Sequence, residues 1–392
     1  MQLTAKQQEG LEIAVQRYND KAPYTCIAGY AGAGKSTLVK FIVEALHLDP
    51  VDVCYIAYTG KAALVLKEKG CSNAMTAHRL LYKSFPRRDG TFFHQPKFPL
   101  DYPYKLIILD EVSMFPKKMW DLLMTHRVHV IALGDPGQLP PIGDDNGILA
   151  QPHIFLDEIM RQAQESEIIR LTMDIRAGKP LELFKGNEVQ IIDKKDVVEG
   201  MFLWADQIIC AKNETRRSIN ALVRKYKYGV ETDEPVEGDK VICLRNDWDN
   251  PSEIGDVMVN GLLATVHNIR YGQPNRWIKT DLIADVLPDH YDIDDDELYD
   301  LEEDVFFREL HLDHKLLTLG EPTVTAKNFK NFPRPIKPKE FDYGYCITCH
   351  KSQGSEYDKV LVFEEYLKGG DHARWLYTAA TRAKKKLVIV RA

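Results

Sequence analysis

Residues 29–36, near the start of the chain, have the composition and spacing of a phosphate-binding loop. They match the pattern G-x-x-x-x-G-K-[ST] completely, with an apolar strand pattern before them and a helical pattern after them. Glycines let backbone N–H groups close around phosphate oxygens, and the N-terminus of the following helix adds a favourable dipole. We expect Lys35 to reach the β- and γ-phosphates and the Ser36 hydroxyl to hold Mg²⁺. The candidate nucleotide-binding residues of this segment are Gly29, Ala31, Gly32, Ala33, Gly34, Lys35, Ser36 and Thr37.

Two carboxylates, Asp110 and Glu111, directly follow an apolar run at residues 106–109. A strand there would present them at its C-terminal end, where ligands of open α/β sheets bind. Asp110 would belong to the Mg²⁺ shell, and Glu111 would orient and deprotonate an attacking water. An acidic turn after a strand is common, but together with the upstream phosphate loop it favours phosphoryl transfer. Such a reaction needs charge neutralisation, so an arginine from elsewhere in the chain should complete the site.

A parallel sheet is the element that must position these groups. Short apolar runs alternate with helical patterns in the first third of the chain, which is typical of a parallel sheet covered on both faces. A helix is expected at residues 35–46. The order is interrupted at residues 81–101, where Asp89-Gly90 predicts the turn of a small hairpin. The predicted strands are residues 24–28, 53–58, 106–109 and 128–133.

The α/β pattern resumes near residue 151, with a helix predicted at residues 165–176. From about residue 237 to residue 340 the pattern becomes β-rich, and then α/β elements return. This order predicts a β-rich domain inserted into a second α/β domain. The predicted strands of these parts are residues 207–211, 240–244, 262–269, 359–363 and 386–390.

An ordered set of further motifs joins the phosphate loop and the acidic pair. They lie at residues 3–7, 57–63, 76–80, 133–141, 160–162, 348–356 and 377–382. In this order the set resembles superfamily 1 helicases, most of all the 5′-to-3′ RecD-like branch (superfamily 1B) and its compact phage members of the Dda type. The resemblance covers nearly the whole chain and is weak in the acidic run at 289–304 and the Pro-rich segment at 328–339.

The resemblance implies an α/β fold of two RecA-like P-loop NTPase motor domains. A small hairpin would be inserted in the first motor domain and a β-rich, SH3-like domain in the second. The implied boundaries are 1–80 and 102–150 for the first motor domain, 81–101 for the hairpin, 151–236 and 341–392 for the second motor domain, and 237–340 for the SH3-like insertion.

The resemblance also implies roles for single residues. Arg161 and Arg382 would act as arginine fingers. From the residues alone, a helix salt bridge for Arg161 and a solvated terminal charge for Arg382 are the favoured interpretations. Catalysis would use Lys35, Glu111, Gln138, Arg161 and Arg382, with Gln138 and Gly354 sensing the γ-phosphate. Further nucleotide contacts would come from Gln7, in the adenine-reading segment, and from Asp110, Gly354 and Glu356.

The expected nucleic-acid contacts combine hydroxyl or cationic groups with aromatic rings, as in non-specific single-strand binding. The residues on matching motifs are Thr59, Lys61, Thr76, His78, His350 and Lys351. Phe92 and Phe93 in the hairpin are candidates for a pin that splits a duplex. An aromatic mini-core for a short insertion explains the two phenylalanines equally well.

The implied activity is that of an ATP-dependent 5′-to-3′ DNA helicase in replication, recombination or repair, with ATP and Mg²⁺ as cofactors. Expected partners are single-stranded DNA, forked or partial duplex DNA, and single-strand-binding or replisome proteins, with no membrane and a monomeric state. Two alternatives stay open. One is an RNA helicase or RNP remodeller, and the other is an ATP-gated loader subunit without processive unwinding.

The net charge of −7 and the pI near 6.0 at first argue against a nucleic-acid partner. The run at residues 289–304 contains ten acidic residues and no lysine or arginine, and without it the balance would be +3. The acidity is therefore mostly one segment, and it does not oppose a local basic channel. The absence of a signal-peptide pattern or of about 18 consecutive apolar residues, with seven scattered cysteines, predicts a cytoplasmic protein with reduced thiols.

Overall fold

The computed structural model describes residues 3–86, 92–140, 144–159, 165–229, 231–246, 258–276, 278–289, 306–324, 338–367 and 371–392. The chain divides into two compact units. Unit 1 contains Met1–Lys83, Gln95–Val198 and Ser352–Ala392, and unit 2 contains Ser84–His94 and Glu199–Lys351.

The described residues form the following elements. The strands are β1 (Tyr24–Gly29), β2 (Val53–Ala57), β3 (Ala74–Thr76), β4 (Tyr82–Pro86), β5 (Phe92–Pro96), β6 (Leu106–Leu109), β7 (His129–Gly134), β8 (Ile154–Leu156), β9 (Phe184–Lys185), β10 (Val189–Ile192), β11 (Gln207–Cys210), β12 (Lys240–Cys243), β13 (Leu263–Tyr271), β14 (Leu282–Pro288), β15 (Phe307–Leu312), β16 (Phe341–Tyr343), β17 (Cys346–Thr348), β18 (Tyr357–Phe363) and β19 (Ala383–Val390). The helices are α1 (Ala5–Asn19), α2 (Lys35–Ala45), α3 (Gly60–Glu68), α4 (Ala77–Leu81), α5 (Lys117–Thr125), α6 (Glu167–Arg176), α7 (Glu199–Trp204), α8 (Asn213–Tyr228), α9 (His314–Leu319), α10 (Cys349–Ser352) and α11 (His372–Ala380).

In unit 1, a parallel sheet has the strand order β3-β2-β6-β7-β1-β8. Its central strands are buried along their whole length, as the apolar runs predicted. One hydrophobic core joins the sheet to α1 and α2, around Leu38 and Ile42, and another covers the opposite face with α4 and α5, around Phe115 and Leu123. Because β7 lies between β1 and β6, the segment after β7 emerges between the phosphate loop and the acidic pair.

A second group of strands in unit 1 has the order β18-β19-β10-β9, with β9 antiparallel at the edge. Helices α6 and α11 both contact β19. Ser166 caps α6 by accepting a hydrogen bond from the Ile169 N–H at 3.5 Å, and Asp371 caps α11 through the Arg374 N–H at 3.1 Å. The helix predicted at 165–176 and the strands predicted at 359–363 and 386–390 are confirmed.

In unit 2, β11 pairs in parallel with β17, and α8 packs against both strands. Five antiparallel strands form a separate sheet in the order β15-β14-β13-β12-β16. The predicted strands at 240–244 and 262–269 correspond to β12 and β13. This sheet confirms the predicted β-rich character and extends to Tyr343.

Strands β4 and β5 form a two-stranded sheet, as the hairpin prediction required. Residues 87–91, which contain its turn, lie outside the described residues. All seven cysteines are free thiols, and six of them are buried. In the part of the chain that the structure describes, every helix is too short or too polar to cross a bilayer.

Candidate nucleotide and nucleic-acid site

The phosphate loop joins β1 to α2 in unit 1. Gly32 and Gly34 both have a φ of +77°, a left-handed conformation in which a side chain would be strained. Gly34 is also the N-cap of α2, and the first turn of a helix has N–H groups without intrahelical partners, which suits an anion. Lys35 donates from Nζ to the carbonyl oxygens of Gly29, at 2.7 Å, and Tyr30, at 3.2 Å. The lysine ammonium therefore lies over the loop.

The acidic pair follows β6, as predicted. Asp110 Oδ1 accepts a hydrogen bond from the Glu111 N–H at 3.0 Å, and Glu111 has a φ of +53°. This left-handed backbone is uncommon for a residue with a side chain, and such strain concentrates at functional sites. Burial raises the pKa of both carboxyls. The charges of Arg382 and Lys35 oppose that rise in the pKa of Glu111, whereas repulsion from Asp110 adds to it.

Arg382 directly precedes β19, at the end of α11, and is only 4% exposed. Its guanidinium donates to the carbonyl oxygens of Thr378, at 3.0 Å, and Ser355, at 3.2 Å, and to Thr381 Oγ1 at 3.1 Å. The alternative of a solvated terminal charge is therefore wrong. The charge of Arg382 acts on the Glu111 carboxyl and opposes the rise in its pKa.

Gln138 and Gly354, the two residues expected to sense the γ-phosphate, lie in unit 1. Gln138 follows β7, is 7% exposed, and its Oε1 accepts no hydrogen bond from any described residue. Gly354 has a φ of +73°, and a Cβ there would lie 3.0 Å from Ala62 Cβ and 3.5 Å from Thr59 Oγ1. The backbone at Gly354 thus closely approaches the start of α3.

Gln7 lies against the phosphate loop. Its Oε1 accepts from the Thr4 N–H at 3.0 Å, and Thr4 Oγ1 accepts from the Gln7 N–H at 3.2 Å, which forms a capping box at the start of α1. The Gln7 Nε2 donates to the carbonyl oxygens of Ala33, at 3.4 Å, and Gly34, at 3.5 Å. The residue thus ties α1 to the loop. Glu356 is exposed, and its charge raises the pKa of Asp110.

Thr59 follows strand β2, Thr76 ends the adjacent parallel strand β3, and each caps the helix after it. Thr59 Oγ1 accepts from the Ala62 N–H at 3.2 Å, and Thr76 Oγ1 accepts from the Arg79 N–H at 3.2 Å. Because both strands end at the same edge of the sheet, the two expected strand-contacting residues come together there. Each hydroxyl has a structural task as well as the predicted one.

Lys61 and His78, on α3 and α4, are the other expected contacts in unit 1. Lys61 Nζ donates to the Tyr357 hydroxyl at 3.4 Å. The His78 ring lies between Tyr58 and Tyr82, with centroid distances of 6.1 Å and 5.7 Å. The rings of Tyr58, His78 and Tyr82 therefore form an aromatic cluster near the helix N-termini at this edge of the sheet.

The remaining candidates lie elsewhere. His350 and Lys351 are half-buried on α10 in unit 2, where burial lowers the pKa of both side chains and the charge of Arg216 further lowers that of Lys351. Arg161 lies outside the described residues, so the prediction of a first arginine finger stays a prediction. Phe92 and Phe93 lie on β5, and their side chains are outside what the structure describes.

The structure also brings residues to the phosphate loop whose roles the sequence analysis did not identify. The Tyr377 hydroxyl accepts from the Ala31 N–H at 3.1 Å and donates to Asp135 Oδ2 at 2.6 Å. The Arg176 guanidinium lies 3.4 Å from the centroid of the Tyr30 ring. Tyr377 and Asp135 belong to the motifs at residues 377–382 and 133–141, but Arg176 lies in no motif that would have indicated its role.

Mg²⁺ would be held by Ser36, in the first turn of α2, and by Asp110. A hydroxyl and a carboxylate are hard oxygen donors of the kind that Mg²⁺ prefers. The positive charge of Lys35, in the phosphate loop, acts on the Asp110 carboxyl and opposes the rise in its pKa. The two residues fit the ion.

A family model described as an AAA domain, AAA_30, matches residues 2–200, which is half of the chain. The chain belongs to the AAA_30 family. A second model, described as a UvrD-like helicase C-terminal domain, matches residues 343–390, which include Gly354 and Arg382.

Two curated relatives are helicases. The "ATP-dependent DNA helicase dda" of Enterobacteria phage T4 is 23% identical over 442 residues, which cover 97% of this chain and 98% of the relative. The "ATP-dependent RecD2 DNA helicase" of Deinococcus radiodurans is 35% identical over 164 residues, covering 39% of this chain and 22% of the relative. The predicted resemblance to superfamily 1B helicases close to Dda is confirmed.

Solved structures of Pif1 helicases have a similar fold. A structure of two coordinating Pif1 helicases at forked double-stranded DNA gives a TM-score of 0.55 at 19% identity, covering 99% of this chain and 92% of that one. Pif1 from Candida albicans gives 0.51 at 15% identity, covering 100% and 94%. With the mixed α/β sheets, these similarities establish a two-domain RecA-like helicase fold.

Proposed function

We propose that this protein is an ATP-dependent DNA helicase that translocates 5′-to-3′ on single-stranded DNA and unwinds duplex DNA. The main supporting observation is that unit 1 contains both parts of such a motor. The charges of Lys35 and Arg382 act on the Glu111 carboxyl, and the glycine expected to sense the γ-phosphate, Gly354, packs against Thr59 and Ala62 of the strand-contacting motif. A change at the nucleotide can therefore reach the edge of the sheet where the strand is expected.

In the proposed hydrolysis, the phosphate loop binds ATP through its N–H groups and Lys35. Ser36 and Asp110 would hold Mg²⁺, and the ion would neutralise phosphate charge. Glu111 orients the attacking water and accepts its proton, and its elevated pKa makes the carboxylate a better base. Arg382 gives up its present hydrogen bonds and donates to oxygens of the transferred phosphoryl group. An arginine finger of this kind raises the rate of hydrolysis by about 10³–10⁵.

The remaining site residues complete the proposal. Arg161 would supply the second finger. Gln7 and Glu356 would complete the nucleotide contacts, with Gln138 as the second γ-phosphate sensor. The strand would be contacted by Thr59, Lys61, Thr76, His78, His350 and Lys351.

We also infer the domain division from the resemblance. Residues 1–80 and 102–150 would form the first motor domain, and residues 151–236 and 341–392 the second. The five-stranded antiparallel sheet that begins at β12 supports assigning residues 237–340 to an SH3-like insertion. The pairing of β4 with β5 supports a small insertion at residues 81–101, which we propose as the pin that separates the strands of a duplex.

Unwinding of partial duplexes with 5′ or 3′ overhangs, in DNA and in RNA and with ATP, tests the activity. We expect unwinding only of DNA with a 5′ overhang. Unwinding only from 3′ overhangs would contradict the polarity, efficient RNA unwinding would favour an RNA helicase, and ATPase without unwinding would favour a loader subunit.

Lys35→Ala tests the nucleotide site, with Lys40→Ala as the matched control because Lys40 is exposed on the same helix. We expect Lys35→Ala to abolish ATPase activity and Lys40→Ala to preserve it. A Lys35→Ala protein with wild-type ATPase activity would show that the site is elsewhere.

Phe92→Ala and Phe93→Ala test the pin. Both variants should hydrolyse ATP normally while unwinding fewer base pairs per ATP. Unchanged unwinding per ATP in both variants would favour the mini-core alternative.

A further inference from the structure

One tyrosine on α11 bonds to two separate segments of unit 1. Tyr377 is only 1% exposed. Its hydroxyl accepts from the Ala31 N–H of the phosphate loop at 3.1 Å and donates to Asp135 Oδ2 at 2.6 Å. A single oxygen atom thus connects the loop that would bind ATP with the segment that follows β7.

Asp135 uses its other carboxylate oxygen to shape that segment. Its Oδ1 accepts from the Gly137 N–H at 2.8 Å, which closes a tight turn directly before Gln138. The Tyr377 ring packs on the same turn, since a Cβ at Gly137 would lie 3.0 Å from Tyr377 Cε1. The backbone that presents Gln138 therefore rests on the ring and, through the carboxylate, on the hydroxyl of Tyr377.

The residues around Tyr377 hold the same segment from a second side. Thr378 Oγ1 accepts from the Leu139 N–H at 2.9 Å, and Gln353 Nε2 donates to the Leu139 carbonyl oxygen at 3.2 Å. Arg382 also donates to the Thr378 carbonyl oxygen at 3.0 Å. The helix that anchors the segment after β7 thus also anchors Arg382, whose charge acts on the Glu111 carboxyl.

We propose that Tyr377 is a positioning residue that couples the state of the phosphate loop to the placement of Gln138 and Arg382, and thereby sets how strongly single-stranded DNA stimulates ATP hydrolysis. This inference rests on the proposed helicase function. Hydrogen bonds that share one hydroxyl strengthen each other, and the acceptor here is a buried carboxylate. Loss of the hydroxyl should therefore affect both the phosphate loop at Ala31 and the turn at Asp135. Tyr377 acts through Gln138 and Arg382, so its removal should lower the rate of the chemical step and leave ATP binding in place.

Tyr377→Phe tests the inference because it removes the hydroxyl and keeps the ring on Gly137. Tyr345→Phe is the matched control: the Tyr345 hydroxyl likewise accepts a backbone N–H, from Lys240 at 2.9 Å, and donates to a buried carboxylate, Asp239, at 2.9 Å. The control belongs to unit 2, whereas the phosphate loop belongs to unit 1.

We expect Tyr377→Phe to lower the kcat of ATP hydrolysis at saturating single-stranded DNA about tenfold, with little change in the KM for ATP. Tyr345→Phe should keep both values while losing a comparable amount of thermal stability. A Tyr377→Phe protein with wild-type stimulated kcat, or with a raised KM alone, would overturn the inference, as would an equal loss in Tyr345→Phe.

The double variant Tyr377→Phe/Asp135→Asn separates a positioning role from a merely structural one, because it shows whether the two residues affect the stimulated kcat through the same hydrogen bond. Asp135→Asn keeps an oxygen that accepts from the Gly137 N–H but replaces the oxygen that accepts from the Tyr377 hydroxyl with an NH₂ donor. If both residues act through one bond, the double variant should lose no more stimulated kcat than Tyr377→Phe alone, and additive losses contradict the coupling. Absence of DNA-stimulated ATPase in the wild-type protein would contradict the proposed function as well, whereas an unaffected Tyr377→Phe would contradict only this inference.

Discussion

Replacing Glu111 with glutamine should inactivate the protein and also stabilise it. Burial raises the pKa of the Glu111 carboxyl, and Asp110 and Asp135 repel its charge, although Arg382 and Lys35 offset part of the effect. Glutamine has nearly the same shape but no charge to desolvate. The substitution removes a proton acceptor that the proposed hydrolysis needs and relieves an unfavourable ionisation in the folded state.

The sign and size of the expected change in stability follow from the linkage between proton binding and folding. A carboxyl whose pKa is higher in the folded than in the unfolded protein binds more protons when folded, so its contribution to stability falls as pH rises from the unfolded to the folded pKa. Above both values the folded protein is destabilised by about 1.4 kcal/mol for each unit of elevation. A change of 1 kcal/mol moves the Tm of a domain of about 150–250 residues by about 2–4 °C.

Thermal unfolding of wild type and Glu111→Gln between pH 7.5 and pH 4.5 measures the effect. The Tm of the variant should exceed that of wild type at pH 7.5, and the gap should narrow as pH falls towards the ordinary glutamate pKa of about 4.3. Glu44→Gln, an exposed residue on α2, is the control and should not change Tm. A variant that is less stable at pH 7.5 would refute the burial argument.

The effect of Glu111→Gln on ATP hydrolysis is tested separately from its effect on stability. Loss of a general base typically lowers kcat by about 10²–10⁴, so Glu111→Gln should bind ATP but hydrolyse it very slowly. A stabilised variant that keeps its ATPase activity would refute the catalytic role and leave the electrostatic reasoning intact.

Three other substitutions give independent checks. Gly137→Ala places a Cβ 3.0 Å from the Tyr377 ring, which should cost about 1–3 kcal/mol in thermal unfolding and lower ATPase activity, whereas Gly200→Ala, which meets nothing within 4 Å, should do neither. Thr59→Ala should lose a helix cap worth about 1 kcal/mol together with single-strand affinity, and Thr59→Ser should keep both, as measured by unfolding and by fluorescence anisotropy. Arg176→Ala removes the stack on the phosphate loop and should raise the KM for ATP about two- to fivefold; an unchanged KM would show that the stack does not affect binding.

Much of the first sheet and its site could be predicted because the signals are local. The phosphate loop is one contiguous motif, and Asp110 and Glu111 directly follow an apolar strand, so the order of residues determines their place. The capping box of Thr4 and Gln7 also has a local signature, S/T-x-x-E/Q, that would have revealed the N-terminus of α1.

The contacts that complete the site are long-range and have no such signature. Tyr377 and Asp135 are 242 residues apart in the chain, and nothing in the letters around either predicts their hydrogen bond. Strand β14 has neither signal of a strand: Asp285 interrupts its apolar run, and because the strand is buried over most of its length it lacks the alternation of a one-sided strand.

Unit 1 is built from three separate stretches of chain, and this has a consequence for biosynthesis. Ser352–Ala392 provides β18, α11 and β19, so β10 has no parallel partner until these residues leave the ribosome. About 150 residues of unit 2 are translated first, a delay of about 8–30 s at 5–20 residues per second. The phosphate loop therefore exists in the nascent chain before Tyr377 and Arg382 do, and a prematurely terminated product would lack the residues that we expect to make ATP hydrolysis fast.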